Sequence, residues 1–396
     1  MLNDPSPEAG LLTLLRVGSI QAPEWLDANE ILIAGGRIAA LGRDLDVPAG
    51  WPVQVVEAPG LIAVPAFIDQ HVHVTGGGGE GGCGSRCPEI TAHAIAARGI
   101  GTVVGVLGTD GISRSPADLL AKVRGLRAEG IAAYMYTGSY RVPPPTLTGD
   151  LQRDLAWIPE IIGLGEIAIS DHRSSQPRQD EIERLVSEVR VGAMLAGKRG
   201  ICHFHVGDGA RGLEPLRRLL SETEIPAEQV IPTHVNRHRN LLEEAADYAL
   251  TFKACVDVTA FDDADDDDLS GFGAVTRLLQ RGVPVEHITM SSDCNGSLPE
   301  FDAQGGYIGM RVAGNATLIA DWQRLVQEQV LPIDQALGLI SGNVARVLGL
   351  DGHKGRLAVG FDADMTLLDP TLTPQRTYVA GRCVYSCDLD AKGAPT

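Results

Sequence analysis

Short apolar segments separated by turns characterise both ends of the chain. Apolar runs at 30–34 and 37–41 flank a Gly-Gly pair, which is typical of a β-hairpin. Two further β segments are predicted near the other end, at 363–368 and 377–385. We therefore predict that residues 1–62 and 353–396 together form one small β-sandwich domain.

The middle of the chain, residues 63–352, alternates between apolar strand candidates and helical segments. The strand candidates are 61–67, 102–107, 132–136, 161–170, 201–205, 230–232, 252–258 and 287–290. A helix is predicted from Ser115, a favourable N-cap, through Pro116 at its first position to a stop at Gly130. Eight strands alternating with helices predict a parallel (β/α)8 TIM-like barrel, with a doubly wound open sheet as the alternative.

Composition excludes several classes of function. No apolar run approaches the ~20 residues of a membrane span, and the N-terminal segment lacks the pattern of a secretion signal, so no membrane partner is expected. The net charge of −18 argues against a nucleic-acid partner. Seven scattered cysteines, an odd number, predict a reducing, cytoplasmic location.

Polar residues follow the predicted strands at regular intervals. His71 and His73 end the first strand at positions i and i+2, so both imidazoles point to one side. The later strand ends carry Glu166, His205, His234 and Asp293. A single buried histidine would be an ordinary core residue, but core packing does not explain polar residues at so many strand ends. Four histidines and two carboxylates can hold two divalent metal ions, expected to be Zn²⁺, around a bridging water.

A set of short motifs covers nearly every loop expected to line the mouth of the barrel. They comprise Phe-Ile-Asp-Gln-His-Val-His at 67–73 and the segments 76–80, 107–110, 137–140, 170–174, 232–237, 292–297 and 355–364. Together they resemble the amidohydrolase superfamily and, within it, the isoaspartyl dipeptidase (β-aspartyl peptidase) family. The resemblance runs nearly end to end. It implies a metal-dependent hydrolase that cleaves the β-aspartyl amide bond of dipeptides.

The resemblance also implies a role for each strand-end residue. The ligands of the first metal would be His71, His73 and Asp293, and those of the second would be His205 and His234. The family generally bridges its two metals with a carboxylated lysine, whereas this chain has Glu166 at that position. A glutamate presents the same two anionic oxygens. An extra residue in the segment 163–165 would offset its shorter side chain.

Catalytic and substrate-binding groups follow from the same resemblance. Asp293 would take a proton from the attacking water and pass it to the leaving amine, and Tyr140 would donate a hydrogen bond to the oxyanion. An anion is needed for the substrate ammonium group, and arginines are needed for its carboxylates. The predicted substrate-binding residues are Gly78, Glu80, Thr109, Arg173, Arg237 and Ser297.

Two further histidines are kept apart from the ligand set. His203 stands two residues before His205 and is predicted to be a packed strand residue. His172 is expected to support the site rather than to bind metal.

Other functions remain open at this point. An N-acyl-amino-acid deacylase or a cyclic amidase of the same superfamily would keep the metals and change the substrate. Glu80 together with two arginines favours a zwitterionic dipeptide instead. A non-catalytic barrel that acts as a scaffold would have no need of the polar series. The chain is expected to be a homo-oligomer that acts on small dipeptides.

Overall fold

The computed structural model describes residues 12–47, 50–261, 266–302 and 307–387. Its strands are β1 (Leu12–Gln21), β2 (Trp25–Leu26), β3 (Glu30–Ala34), β4 (Arg37–Gly42), β5 (Val53–Pro65), β6 (Phe67–Val72), β7 (Ile100–Gly105), β8 (Ala132–Thr137), β9 (Ile161–Ile169), β10 (Ile201–Val206), β11 (Val230–Thr233), β12 (Val256–Thr259), β13 (Ile288–Ser291), β14 (Ser297–Phe301), β15 (Tyr307–Val312), β16 (Met365–Leu368), β17 (Pro374–Val379) and β18 (Arg382–Ser386).

Ten α-helices occur among the described residues. They are α1 (Ala92–Ala96), α2 (Pro116–Glu129), α3 (Leu151–Trp157), α4 (Gln179–Leu195), α5 (Glu214–Glu222), α6 (Arg239–Phe252), α7 (Gly271–Gln280), α8 (Ala316–Gln327), α9 (Ile333–Leu337) and α10 (Asn343–Leu348). Each of these helices falls short of the length and apolarity that a membrane crossing requires.

One eight-stranded sheet contains strands from both ends of the chain. Its order is β18-β17-β16-β5-β1-β3-β4, and β2 also pairs with β1. The prediction that the two ends share a sheet is therefore confirmed by the antiparallel pairing of β16 with β5. The β-sandwich and its boundaries at 1–62 and 353–396 stay predictions, and residues 1–11 and 388–396 lie outside the described part of the chain.

The predicted hairpin is present as β3 and β4, which pair antiparallel around the two glycines. The single β segment predicted at 377–385 is wrong, because β17 ends at Val379 and β18 begins at Arg382. Ala380 and Gly381 between them have positive φ angles of 47° and 75° and form the turn. An apolar run of this kind does not show where a tight turn divides it.

A curled parallel sheet forms the middle of the chain. Strands β6 to β11 lie side by side in sequence order, and β12 pairs with β13. A parallel bridge from Val72 to Cys294 connects the end of β6 with the segment after β13. A doubly wound sheet reverses its strand order at a switch point, and the six-stranded sheet contains no such reversal. The α/β fold is consistent with a TIM-like barrel.

The first predicted barrel strand, 61–67, is wrong in its position. Its residues up to Pro65 belong to β5 of the terminal sheet, and the barrel strand β6 begins only at Phe67. Both sheets bury their strands here, so the apolar pattern continues through the change of sheet.

Helices cover the outside of the parallel sheet and form the main apolar core with it. The sequence of α2 explains where this helix begins and ends. The Ser115 hydroxyl accepts a hydrogen bond of 3.2 Å from the backbone N–H of Asp118, and Gly130 ends the helix with φ of 107°. Leu119 and Val123 of α2 are fully buried in one cluster with strand residues of β7. The predicted start and stop of this helix are confirmed.

Candidate metal centre and active site

The carboxyl ends of the parallel strands carry a cluster of buried histidines and carboxylates. Its members are His71 on β6, His73 just after it, Glu166 on β9, His205 on β10, His234 after β11 and Asp293 after β13. The side chains of the four histidines and of Glu166 are at most 8% exposed, and that of Asp293 is 15% exposed. The structure thus brings together all six residues predicted to bind metal, because parallel strands end at the same edge of a sheet.

Two compact groups of possible ligand atoms lie within this cluster, with the atoms of each group within 4.8 Å of one another. In the first group, Oδ1 of Asp293 lies 3.0 Å from Nε2 of His73 and 3.3 Å from Nε2 of His71. In the second, Oε2 of Glu166 lies 3.4 Å from Nε2 of both His71 and His234. Two atoms bound tetrahedrally to one zinc ion are about 3.4 Å apart, so these spacings suit metal ligation.

Three buried polar atoms of the cluster have no hydrogen-bond partner among the residues that the structure describes: Nε2 of His71, Oε1 of Glu166 and Oδ1 of Asp293. An uncompensated polar atom is costly to bury. Burial lowers the pKa of His71, but the carboxylates of Glu166 and Asp293 outweigh it and hold this pKa well above its ordinary value. The cluster therefore attracts positive charge, and its donor set fits divalent cations.

Strand β9 has a β-bulge at the position of Glu166. Leu164 pairs with Cys202 and Ile167 pairs with Phe204, so two residues of β9 lie opposite one residue of β10. A bulge bends the strand and changes the direction of a side chain. The bulge places Gly165 and Glu166 opposite the single residue His203. The extra residue expected at 163–165 relative to the family stays a prediction.

The carboxylate of Glu166 lies between the two halves of the cluster. Its Oε1 is 3.5 Å from Nε2 of His73, and its Oε2 is 3.1 Å from Nδ1 of His205. Burial raises the pKa of Glu166, but His71 and the other neighbouring histidines outweigh it and hold this pKa well below its usual range. Glu166 is therefore a buried, ionised carboxylate whose two oxygens face histidines on both sides of the cluster.

His205 lies at the edge of the cluster rather than inside either compact group. Its Nδ1 is 2.8 Å from Oη of Tyr140, and its Nε2 is 2.9 Å from Oδ2 of Asp171. Burial raises the pKa of Asp171, but hydrogen bonds from His205 and Arg173 hold it well below its usual range. Asp171 orients His205, a role that the Asp-His-Arg motif at 171–173 did not by itself reveal.

Two residues of the cluster have left-handed backbone conformations. The φ angles of His234 and Asp293 are 61° and 53°. This region is sparsely populated by residues other than glycine and is more common for Asp and His than for most residues. Strained backbone is therefore found at the strand ends that present the candidate ligands.

A cavity of about 700 Å³ opens above the cluster, and Glu80 lies in its wall. Its Oε1 accepts hydrogen bonds from Oγ of Ser297 at 2.9 Å and Oγ1 of Thr109 at 3.1 Å. Nη1 of Arg173 is 3.4 Å from the same oxygen. The second oxygen, Oε2, is buried without a hydrogen-bond partner among the described residues. Glu80 thus lines the cavity with one carboxylate oxygen held by its neighbours and a second oxygen that has no partner among the described residues.

The two predicted arginines line the same cavity but differ in their contacts. Arg173 forks onto Asp171, with Nε 3.0 Å from Oδ1 and Nη2 2.8 Å from Oδ2. Arg237 donates from Nε to the carbonyl oxygen of Val206 at 2.8 Å, which anchors its guanidinium at the cavity wall. Arg173 is therefore paired with a carboxylate of the protein, whereas Arg237 contacts a neutral carbonyl oxygen.

The loop that carries Glu80 depends on Gly78 and on a buried arginine. Gly78 has φ of 117°, and a Cβ there would lie 2.2 Å from the carbonyl oxygen of Ser85. Arg114, which sequence reasoning missed, hydrogen-bonds to this loop with its guanidinium. These bonds, 2.8 to 2.9 Å long, go to the carbonyl oxygens of Thr75, Gly77 and Cys87. Nothing in the sequence around Arg114 distinguishes it from a surface arginine.

The two histidines kept apart from the ligand set lie at different depths. His172 is exposed and lines the cavity. His203 is fully buried, as predicted, and its Nε2 also lies 2.9 Å from Nδ1 of His71. Burial lowers the pKa of His203 well below its ordinary value.

Comparison with known proteins identifies the family of the chain. A model of the amidohydrolase family matches residues 237–385. A solved structure of β-aspartyl dipeptidase from Fervidobacterium islandicum AW-1, in complex with the β-Asp-Leu dipeptide, is 38% identical. The match covers 96% of this chain and 97% of that chain, with a TM-score of 0.89. Dihydropyrimidinase from Brevibacillus agri, at 16% identity and a TM-score of 0.63, shares the fold alone.

Two dihydroorotases are also similar in sequence. The enzyme from Citrifermentans bemidjiense is 25% identical, with 90% of this chain and 89% of that protein covered. The enzyme from Methanosarcina mazei is 24% identical, with 89% and 84% covered. Taken with the 38% identity to a solved relative over nearly the whole length, the chain belongs to the amidohydrolase superfamily of hydrolases.

Proposed function

We propose that this protein is a metal-dependent dipeptidase that hydrolyses the β-aspartyl (isoaspartyl) amide bond of dipeptides. The observation that carries the proposal is the position of Glu80, which lines the cavity above the candidate metal ligands and whose buried Oε2 has no hydrogen-bond partner among the described residues. The similarity to the β-aspartyl dipeptidase of Fervidobacterium islandicum supports the same substrate class.

The charges of such a dipeptide match those of the cavity. A β-aspartyl dipeptide has a free ammonium and a free α-carboxylate beside the scissile amide, and a second carboxylate at its C-terminus. Glu80 would bind the ammonium through Oε2, while Ser297 and Thr109 hold its other oxygen. Arg237 would bind a carboxylate. Arg173, already engaged by Asp171, would chiefly hold Glu80 and add positive charge.

The six clustered residues would hold two divalent metal ions, expected to be zinc. His71, His73 and Asp293 would bind one ion, His205 and His234 the other, and Glu166 would contact both. When bound, such ions polarise a carbonyl group and lower the pKa of a water molecule between them toward ~7.

Proton transfer and oxyanion stabilisation would come from this chain's own side chains. Asp293 would accept a proton from the attacking water as the new C–O bond forms and charge moves to the carbonyl oxygen. It would then deliver that proton to the amide nitrogen, so that the C–N bond breaks as the carbonyl reforms. Burial raises the pKa of Tyr140 well above its ordinary value, so its phenol keeps its proton. That O–H would donate to the carbonyl oxygen as negative charge develops there.

The decisive experiment compares β-Asp-Leu, α-Asp-Leu and N-acetyl-Leu as substrates, on protein whose zinc content has been measured. We expect cleavage of β-Asp-Leu alone, with two metal ions per chain. Two metals without β-aspartyl activity would overturn the proposed substrate, and fewer than two would overturn the role of Glu166.

A matched variant tests the amine-binding role of Glu80. Glu80→Gln preserves the shape of the side chain and removes its charge. The kcat/KM for β-Asp-Leu should fall about 10- to 100-fold, since hydrogen bonds to charged groups contribute about 1.5–3 kcal/mol. The kcat/KM for an N-acetylated substrate should change much less. An equal loss on both substrates would contradict the assignment.

A cyclic amidase is the second candidate, favoured by the two dihydroorotases that align over most of the chain. Dihydroorotate carries a carboxylate and no ammonium group, so it would offer the Glu80 oxygen only neutral N–H donors and no opposite charge. Hydrolysis of dihydroorotate but not of β-Asp-Leu would establish this alternative. The N-acyl-amino-acid deacylase is tested by N-acetyl-Leu in the same assay. The homo-oligomeric state and the cytoplasmic location stay predictions from the sequence.

A further inference from the structure

We infer that His203 is a positioning residue for the proposed metal centre, because it fixes His71 in the tautomer that leaves Nε2 free to bind metal. The inference rests on the proposed function, since it concerns the same metal centre. It assigns to His203 a role beyond the packing predicted from the sequence.

The geometry places His203 directly beneath a candidate ligand. On β10, His203 and His205 point to the same side of the strand because they are two residues apart. His205 reaches the cluster, and His203 lies one layer deeper, fully buried. The ring centroids of His203 and His71 are 5.0 Å apart with planes at 68°, and the hydrogen bond joins Nε2 of His203 to Nδ1 of His71 at 2.9 Å.

The direction of this hydrogen bond decides which nitrogen of His71 can bind metal. Nε2 of His71 faces the carboxylates of Glu166 and Asp293, so it must present a lone pair when it binds a metal ion. The proton of neutral His71 is then on Nδ1, and Nε2 of His203 accepts it. If His203 donated instead, the proton of His71 would move to Nε2 and block the ligand position.

Two other candidate ligands have comparable support. Nε2 of His205 lies 2.9 Å from Asp171, and Nδ1 of His234 lies 2.8 Å from Oγ1 of Thr259. Partners of this kind orient a ligating histidine and set its tautomer, and their loss typically weakens metal binding about 10- to 100-fold. His203 completes the same arrangement for His71, with an imidazole as the acceptor.

His203 also stacks on Tyr136, so different variants can remove its packing contact and its hydrogen bond to His71 separately. The ring of Tyr136 lies against His203 with centroids 5.2 Å apart and planes at 23°. His203→Phe keeps a planar ring against Tyr136 and removes the acceptor. His203→Gln retains an acceptor oxygen. Tyr136→Leu removes the stacking and leaves the hydrogen bond of His203 intact.

The test measures metal retention rather than turnover. Each purified variant is equilibrated with zinc and graded concentrations of a chelator, and the zinc that remains bound is counted. We expect His203→Phe to lose one of its two metals at about 10- to 100-fold lower chelator concentration than wild type. His203→Gln should be close to wild type. Tyr136→Leu should have a lower Tm and wild-type retention.

A spectroscopic measurement adds a readout that packing alone would not change. The visible absorption of the cobalt-substituted protein should differ from wild type in His203→Phe and match wild type in Tyr136→Leu. Wild-type retention in His203→Phe would overturn the inference, as would equal weakening in His203→Phe and Tyr136→Leu. If His203→Phe does not fold, His203→Asn replaces it, because its shorter amide cannot reach His71.

Measurements on the wild-type protein distinguish a failure of the proposed function from a failure of the role of His203. Wild-type protein that binds no metal would overturn the proposed function itself. Wild-type protein with two metals and β-aspartyl activity, together with unchanged retention in the His203 variants, would overturn only the role of His203.

Discussion

The phenol of Tyr140 and the imidazole of His205 are in direct contact, with Oη 2.8 Å from Nδ1 and ring centroids 4.5 Å apart. On the cavity side, the guanidinium of Arg173 lies 5.3 Å from the centroid of the Tyr140 ring. The phenol is therefore held between the candidate metal ligands and a cation. This position gives the cluster a neutral O–H donor at its edge.

We expect Tyr140→Phe to lower kcat for β-Asp-Leu by about 10²- to 10³-fold, the usual loss for one oxyanion donor. KM should change little, because the phenol acts on charge that develops during the reaction. Steady-state kinetics test this, with Tyr248→Phe as a control, since Tyr248 is buried outside the cavity. An increase in KM alone would contradict the assigned role.

Replacement of Asp293 should remove the proton-transfer group. We expect Asp293→Ala to lower kcat by about 10²- to 10⁴-fold, the range for general acid–base groups. The circular dichroism spectrum should stay close to wild type. Asp208→Ala is the matched control, because this carboxylate is exposed and lines the same cavity. Comparable losses in both variants would show that the cavity needs only negative charge.

Glu166, which is proposed to contact both metals, can be exchanged for the lysine that the resemblance implies at this position. Glu166→Lys should lose zinc in buffer without carbon dioxide, because an ammonium group then faces the histidines. Bicarbonate should restore metal content and activity, since a carboxylated lysine again provides two anionic oxygens. Glu166→Gln cannot form a carbamate and should not respond. Failure of Glu166→Lys to recover would argue against the equivalence of the two positions.

Arg114 should matter through the loop that carries Glu80. In Arg114→Lys, one ammonium group cannot replace a guanidinium that bonds three separate carbonyl oxygens. We expect kcat/KM for β-Asp-Leu to fall about 10- to 100-fold, because Glu80 is misplaced. Faster hydrogen exchange in the segment 75–88 should accompany the loss. Arg86→Lys, an exposed arginine of the same loop, should behave like wild type.

Zinc content separates this effect from a general loss of the site. Arg114→Lys should retain its metals, because Arg114 contacts the loop and none of the candidate ligands. Loss of zinc together with activity would mean that the substitution disturbs the whole barrel mouth.

The sequence by itself determined the alternation of strands and helices and the residues that end each strand. These features depend on local periodicity, since burial on one side repeats every two residues in a strand. The candidate ligands were found in this way, because strand ends can be identified without knowledge of strand order. The same method misplaced the strand at 61–67, because apolar character does not distinguish between two sheets that bury the same run. It also missed the turn at Ala380, because an apolar run does not show where a tight turn divides it.

Only the tertiary structure decided which of these residues touch. His71 and His203 are 132 positions apart in the chain, and the bond between them depends on the strand order. The fork of Arg173 onto Asp171 and the hold of Arg114 on the glycine-rich loop are likewise invisible in the sequence. Polar side chains carry no local signal for their partners, because a hydrogen bond depends on distances of a few tenths of an ångström that the whole fold sets.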